Sequence, residues 1–166
     1  MGKVLKSLGV NAENPAALMP HWEPPAALAA AGHGCLLLAA VSSARTPKGD
    51  QPLTPFMLKV LDGDTLTNKD ELVVEMNPQT AAELHLVEND RVKVTSKIGS
   101  TDARLHLFAG AAPGMVFMPV GLGHFAIANA YTMGRGGNYN QVAEATTDPL
   151  SGLPVWSLTS VAVTKA

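Results

Sequence analysis

The sequence predicts a mainly-β domain, a barrel or a sandwich, and three observations carry that reading. Short apolar runs recur along the chain, each bounded by Gly, Pro, Asn or Asp. Two runs, RVKVTS (91–96) and TDARLHLF (101–108), alternate polar and apolar residues with the period of two that a half-buried strand requires. Helical signals are few and short. With 166 residues, 46% hydrophobic and 16% charged, the chain is long enough to bury one core and too apolar to stay disordered. A net charge of -2, with 12 Lys+Arg thinly spread, leaves no basic stripe for nucleic acid.

The elements follow in order. Pro15, Pro20, Pro24 and Pro25 crowd the first segment, which prevents continuous helix or sheet and favours an extended path. Residues 1–33 therefore read as an arm or linker, with Trp22 in need of a surface to cover it, and residues 34–166 as the folded domain. Met1 to Val10 carries lysines but no apolar stretch, so no signal peptide is expected there. AALAAAGHGCLLLAAV (26–41) is shorter than the roughly 20 residues of a membrane span and is broken at Gly32-His33-Gly34, so no direct span is expected. It reads instead as a buried strand over 34–41, with Cys35, the single cysteine, as a buried structural thiol beside Leu36 to Leu38. RTPKGDQ (45–51) is a polar loop, and FMLKVLDGD (56–64) a short helix ended by Gly63.

Leu72 to Met76 is a strand. Asn77 and Pro78 then open a helix, Asn as the cap and Pro in the first turn, with Ala81, Leu84 and the Leu86-Val87 pair toward the core. Glu88 to Asp90 turns the chain. In the strand pair that follows, joined at Ile98-Gly99-Ser100, Val92 and Val94 point inward together with Ala103, Leu105 and Leu107, while Arg104, His106 and Phe108 point the other way. Ala111 to Gly114 is a turn, Met115 to Val120 a strand whose Val116 faces inward, and Ser160 to Thr164 the last strand.

The stretch MPVGLGHF (118–125) admits three chemistries: a phosphate loop, a metal site, or a bend where backbone lies against a ligand. Gly121 to Ala126 fits G-x-G-x-x-A, but a dinucleotide fingerprint must open a helix within a strand–helix–strand unit; here it comes late, and only Ser160 to Thr164 is an obvious strand after it. The P-loop pattern is absent. His21, His33, His85 and His106 lack ligand spacing relative to His124, so no metal is assigned; His85 and His106 read as surface or edge residues. No catalytic triad is legible, and no catalytic residue is assigned. Backbone chemistry remains. Gly121, Gly123, Gly134, Gly136 and Gly137 cluster in sequence with Arg135, Asn138 and Asn140; this is either a surface loop or a place where the chain passes close to a flat ligand that an Asn amide can bond.

Six motifs in order make the sequence similar to a known family: E-x-N-P at Glu75 to Pro78, N-D-R-V-x-V at Asn89 to Val94, the Pro-Gly entry to a strand at Pro113 to Val116, G-x-G-H at Gly121 to His124, Gly137-Asn138, and D-P-x-S-G at Asp148 to Gly152. From about Leu36 to Ala166 the chain resembles the C-terminal, molybdopterin dinucleotide-binding domain of the dimethyl-sulfoxide-reductase superfamily of molybdopterin oxidoreductases, in particular its menaquinone-reductase and polysulfide-reductase-like branch. The resemblance implies a six-stranded double-psi β barrel with short helices, preceded here by the Pro-rich extended arm.

It also implies a role: a cofactor-domain subunit or fragment of a respiratory oxidoreductase, covering a molybdopterin guanine dinucleotide of a molybdenum or tungsten cofactor shared with a partner chain, and not catalytic alone. The implied cofactor-binding residues are Ser42, Ser43, Arg45 and Thr46 after the first strand, Gly121, Gly123 and His124 at the bend, and Asn138. The implied partners are a larger molybdopterin-oxidoreductase subunit with iron–sulfur and membrane subunits, on the periplasmic side of a membrane or, alternatively, in the cytoplasm. The competing reading is a structural subunit of a quinone-reductase-type complex that keeps the fold without the cofactor; a free-standing barrel enzyme ranks behind both.

Overall fold

The alternating segments meet as an antiparallel pair, β4 (Arg91–Thr95) and β5 (Ser100–Leu107), with Val92 opposite Ala103 and Val94 opposite Thr101. Every second residue of β4 is buried, so the period of two is realised as one core face and one solvent face. The computed structural model describes residues 35–42, 67–68, 71–126, 133–134, 136–148, 152–155, 157 and 159–166. The sequence readings for the Pro-rich arm, the 45–51 loop and the 56–64 helix lie outside these residues.

Around that pair the other strands close a ring. The first is β1 (Leu36–Val41), then β2 (Thr67–Asn68), β3 (Glu71–Met76), β6 (Met115–Pro119), and, after the hairpin β7 (Thr146–Thr147) with β8 (Pro154–Val155), β9 (Thr159–Lys165). The hydrogen-bonded order runs β3-β5-β4-β9-β1-β6, and β6 pairs back onto β3, with Glu75 opposite Phe117, so six strands form a closed barrel. β2 lies outside the closure, on the edge of β3. Two of the pairings are parallel, β1 with β6 and β3 with β5, and they flank the antiparallel β3–β6 contact. This is the expected double-psi β barrel. Closure leaves no free barrel edge and fills the interior with side chains: Leu38, Val74, Met76, Val92, Val94, Leu105, Val116, Met118 and Val161 are all at 0–1% exposure.

Helix α1 (Pro78–Glu83) begins as its sequence demands. Asn77 Oδ1 accepts from the Gln79 N–H at 2.9 Å, and Asn77 Nδ2 donates to the Ala111 carbonyl at 2.8 Å, so one amide caps the helix and ties it to the turn before β6. Thr80, buried in α1, accepts from the Gly114 N–H at 3.0 Å.

Two expectations are corrected. Cys35 is exposed, because the strand starts one residue later at Leu36 and the thiol precedes the sheet. Only Leu86 of the Leu86-Val87 pair enters the core; Val87 is 59% exposed. The helix has ended at Glu83, and His85 turns with φ 56°, so the helical period does not reach Val87. His106 lies at the surface as expected, with its Nδ1 2.9 Å from Glu88 Oε1, while Glu88 Oε2 accepts from the Leu107 N–H at 2.6 Å.

Candidate functional site

The end of β6 runs beside the end of β1. Their register brings Val41 opposite Pro119, and the Val120 N–H donates to the Val41 carbonyl at 3.0 Å. Ser42 therefore leaves the barrel alongside the start of the Gly121–His124 bend. The bend does not open a helix. It lies against the segment around Asn138, and Gly123 makes that possible. A Cβ on Gly123, whose φ is +72°, would stand 2.3 Å from the Asn138 nitrogen and 2.5 Å from the Gly137 carbonyl carbon. No side chain fits there. The close approach that the glycines suggest is thus, at Gly123, an approach of the chain to itself.

Beside this contact lies a cleft of about 630 Å³ whose lining includes Gly121, His124, Asn138, Tyr139, Thr146 and Pro154. Asn138 caps a 3-10 turn (Tyr139–Gln141): its Oδ1 accepts from the Asn140 N–H at 3.0 Å, and its NH2 makes no hydrogen bond to a described residue. Tyr139 is buried, and that burial pushes its phenol up to about 12. His124 pairs its backbone in parallel with Met133 and accepts from the Gly134 N–H at 3.3 Å, yet its Nε2 is buried with no hydrogen-bond partner among the described residues. A buried ring nitrogen in that state costs free energy unless something meets it. Among the described lining residues Glu144 is the one acidic side chain, and there is no Lys or Arg.

The structure thus brings together Gly121, His124 and Asn138 at the cleft, with Gly123 packed behind them and Ser42 beside the bend. Ser43, Arg45 and Thr46 lie outside the described residues. Sequence reasoning missed Tyr139, Glu144 and the β7–β8 hairpin as parts of the wall. The signal for the hairpin was in the D-P-x-S-G turn: Gly152 donates to the Asp148 carbonyl at 2.8 Å and Asp148 to the Leu153 carbonyl at 2.8 Å, which folds Thr146–Thr147 onto Pro154–Val155.

Comparison with known proteins gives a consistent picture. Residues 61–158 match the family model described as "Molydopterin dinucleotide binding domain". The chain is 30% identical over 131 residues to the menaquinone reductase molybdopterin-binding-like subunit of Nitratidesulfovibrio vulgaris, covering 79% of this chain and 19% of that protein. It is 28% identical over 156 residues to the arsenate respiratory reductase molybdopterin-containing subunit of Chrysiogenes arsenatis, covering 90% of this chain and 18% of that one. The chain therefore spans about a fifth of the length of these curated relatives. Among solved structures, the acetylene hydratase from Pelobacter acetylenicus superposes with a TM-score of 0.62 at 17% identity, over 98% of this chain and 22% of that one, which establishes the shared fold. With its closed barrel, its bend and cleft, and a family match over more than half its length, this chain belongs to the molybdopterin dinucleotide-binding domain family of the molybdopterin oxidoreductases.

Proposed function

We propose that this chain covers a pterin guanine dinucleotide within a respiratory molybdopterin oxidoreductase, with the metal and the catalytic centre held by a larger partner. The observation that carries the reading is His124, whose buried Nε2 has no partner among the described residues, beside a cleft that also presents an Asn amide whose NH2 makes no hydrogen bond to a described residue. Both fit a pterin, whose edge alternates donors and acceptors. Gly121 keeps the rim of the bend free of a side chain. The Ser42 hydroxyl, with Ser43, Arg45 and Thr46 next in sequence, would give a pyrophosphate the hydroxyls and guanidinium it favours. When bound, the cofactor supplies the redox chemistry; this chain's residues orient it and exclude water.

The wider setting follows from the same reading. This chain spans about a fifth of its relatives' length, and in this reading the metal centre lies outside this domain, in a larger subunit that shares the cofactor. Residues 1–33 then serve as an arm on that partner, and residues 34–166 as the cofactor domain. One relative is named a menaquinone reductase subunit and another a respiratory reductase subunit, which accords with a place in electron transport; iron–sulfur and membrane subunits and a periplasmic setting are part of the same proposal. Among the described residues no helix is long and apolar enough to cross a membrane.

One observation favours a second reading, a structural subunit without the cofactor: the described lining offers a pyrophosphate a carboxylate, Glu144, and no cation. Fluorescence of the oxidised pterin released from the purified complex, with molybdenum and tungsten analysis, decides between them. Pterin in stoichiometric amount is expected; its absence from the wild-type complex would establish the structural subunit. Asn138→Leu should weaken cofactor retention by ~1–3 kcal/mol. Asn138→Asp keeps the oxygen that caps the 3-10 turn and removes the NH2, so an equal loss in that variant assigns the effect to the donor rather than to the turn.

A further inference from the structure

We propose that Glu144 is the residue with which the cleft reads a ring edge, and that the edge is the 2-amino-4-oxopyrimidine common to guanine and pterin. The inference rests on the reading of the cleft as a dinucleotide site. Glu144 is held by its backbone: its N–H donates at 2.8 Å to the hydroxyl of Thr159, which is buried at the start of β9. Its side chain, by contrast, is not used by the fold. The Glu144 side chain is 29% exposed, and its nearest cation among the described residues is Lys97, with Nζ 3.9 Å from Oε1 and the lysine side chain 81% exposed. That separation is too long for a hydrogen bond, and a pair so open to water contributes little. Glu144 Oε2 makes no hydrogen bond to a described residue.

A carboxylate that has given up part of its hydration without gaining donors is suited to a ligand that brings them. Two acceptors side by side match a ring that presents two adjacent donors, and ionisation makes both bonds stronger. Guanine presents a ring N–H next to its 2-amino group, and a pterin presents the same pair. Hypoxanthine has the ring N–H but no 2-amino group. Adenine has a ring acceptor where the N–H would be, which repels a carboxylate. Pro154 and Val155 in the lining add apolar surface for a flat ring. The chemistry of the wall therefore separates guanine-type rings from the other purines, and Glu144 supplies the separation.

Isothermal titration of the full chain with GDP, IDP, ADP and 6-hydroxymethylpterin tests this. GDP or the pterin should bind about tenfold or more tightly than IDP and ADP, the size of one lost charge-assisted hydrogen bond. Glu144→Gln, close in shape but with one acceptor replaced by a donor, should abolish that preference, while Lys97→Ala should retain it. A Glu144-dependent preference for GDP alone assigns the guanine as the ring read, and one for the pterin alone assigns the pterin. Equal binding of GDP and IDP with no binding of the pterin, binding of none of the four, or an unchanged preference in Glu144→Gln overturns the proposal. The outcome is separable from the cofactor reading: a complex that holds pterin while its chain does not discriminate removes Glu144 and leaves that reading in place. A complex without pterin whose chain still prefers GDP through Glu144 does the reverse.

Discussion

In the β4–β5 hairpin no buried side-chain polar atom lacks a partner, whereas at the bend after β6 one is left unmet among the described residues. Ser96 closes the hairpin by accepting from the Ile98 N–H at 3.1 Å while its own N–H donates to the Gly99 carbonyl at 2.9 Å. The ladder runs on from there with Val92 and Val94 at 0% exposure. At the bend, Gly123 stacks backbone on backbone, and His124 Nε2 is buried without a partner among the described residues. Both regions are equally part of the domain, and they differ in what completes them. The hairpin is finished by its own residues. The bend keeps an acceptor or donor in reserve; Ser160 Oγ on β9 is also buried without a partner among the described residues, so it is the position of His124 in the lining of the cleft that marks a binding surface.

The comparison is easiest to break in the barrel, where the largest effect is expected. Val94→Asp places a carboxylate among apolar side chains with no donor to meet it, a loss of roughly 4 kcal/mol or more. Denaturant unfolding should show a collapse of the midpoint. A midpoint within error of the wild type would mean that β4 does not face the core.

The next test lies where barrel and cleft meet. Gly123→Ala should cost ~3 kcal/mol, since the new methyl overlaps backbone atoms that cannot rotate away. Gly134→Ala is its control: φ is +75°, but no described atom lies within 4 Å of where the methyl would stand, so only the conformational penalty of about 1 kcal/mol remains. Thermal melts of the two variants should therefore separate clearly, and equal shifts would contradict the backbone contact.

Asn77→Ala comes third. It removes the cap of α1 and the bond to Ala111 together, for about 1–2 kcal/mol measured by chemical denaturation, with ligand binding at the cleft unaffected.

The smallest effect is an acid response of the barrel surface. Lys165 Nζ, 2.7 Å from Asp90 Oδ1, holds the Asp90 carboxyl below its ordinary value of 3.8, helped by the Val87 N–H at 3.0 Å. A depressed carboxyl stabilises the folded state above that ordinary value, and the contribution is lost as pH falls through the lower folded value. Lys165→Ala should thus lower stability slightly at neutral pH and shrink the loss on acidification, which melts at about pH 7 and below pH 3.8 would reveal. Glu88 responds in the same direction: burial opposes its ionisation, but the His106 ring and the Leu107 N–H outweigh it and lower its pKa.

Much of this was open to reading in the residues themselves. The period of two in 91–96 and 101–108 became β4 and β5 with the inward set as expected, and Leu107, partly buried, packs against the core. Asn77-Pro78 began a helix where the cap chemistry requires one. Such features are local: alternation, capping and turn preference act over a few residues, so the sequence carries them without reference to the rest of the chain. Cys35 and Val87 show the limit of that logic. Each sits beside apolar neighbours in sequence, and neither has them in space, because a strand start and a helix end fall one or a few residues from where the apolar run suggests.

What the tertiary structure alone decided is closure and the cleft. The parallel pairing of β1 with β6 joins segments more than seventy residues apart, and no local pattern specifies such a partner; it is selected by burying both faces of Leu36 to Ala39 at once. The cleft depends on that choice. Gly121 to His124 meets Gly137 and Asn138 only after β6 has been fixed beside β1, and the wall that carries Glu144 is placed by its bond to Thr159 on β9. The sequence by itself determined which segments are strands and which residues are equipped to bond a ligand, since those are properties of side chains and their spacing. The assembly of those residues into one surface was left to long-range packing, whose free energy belongs to the whole barrel and to no stretch of it.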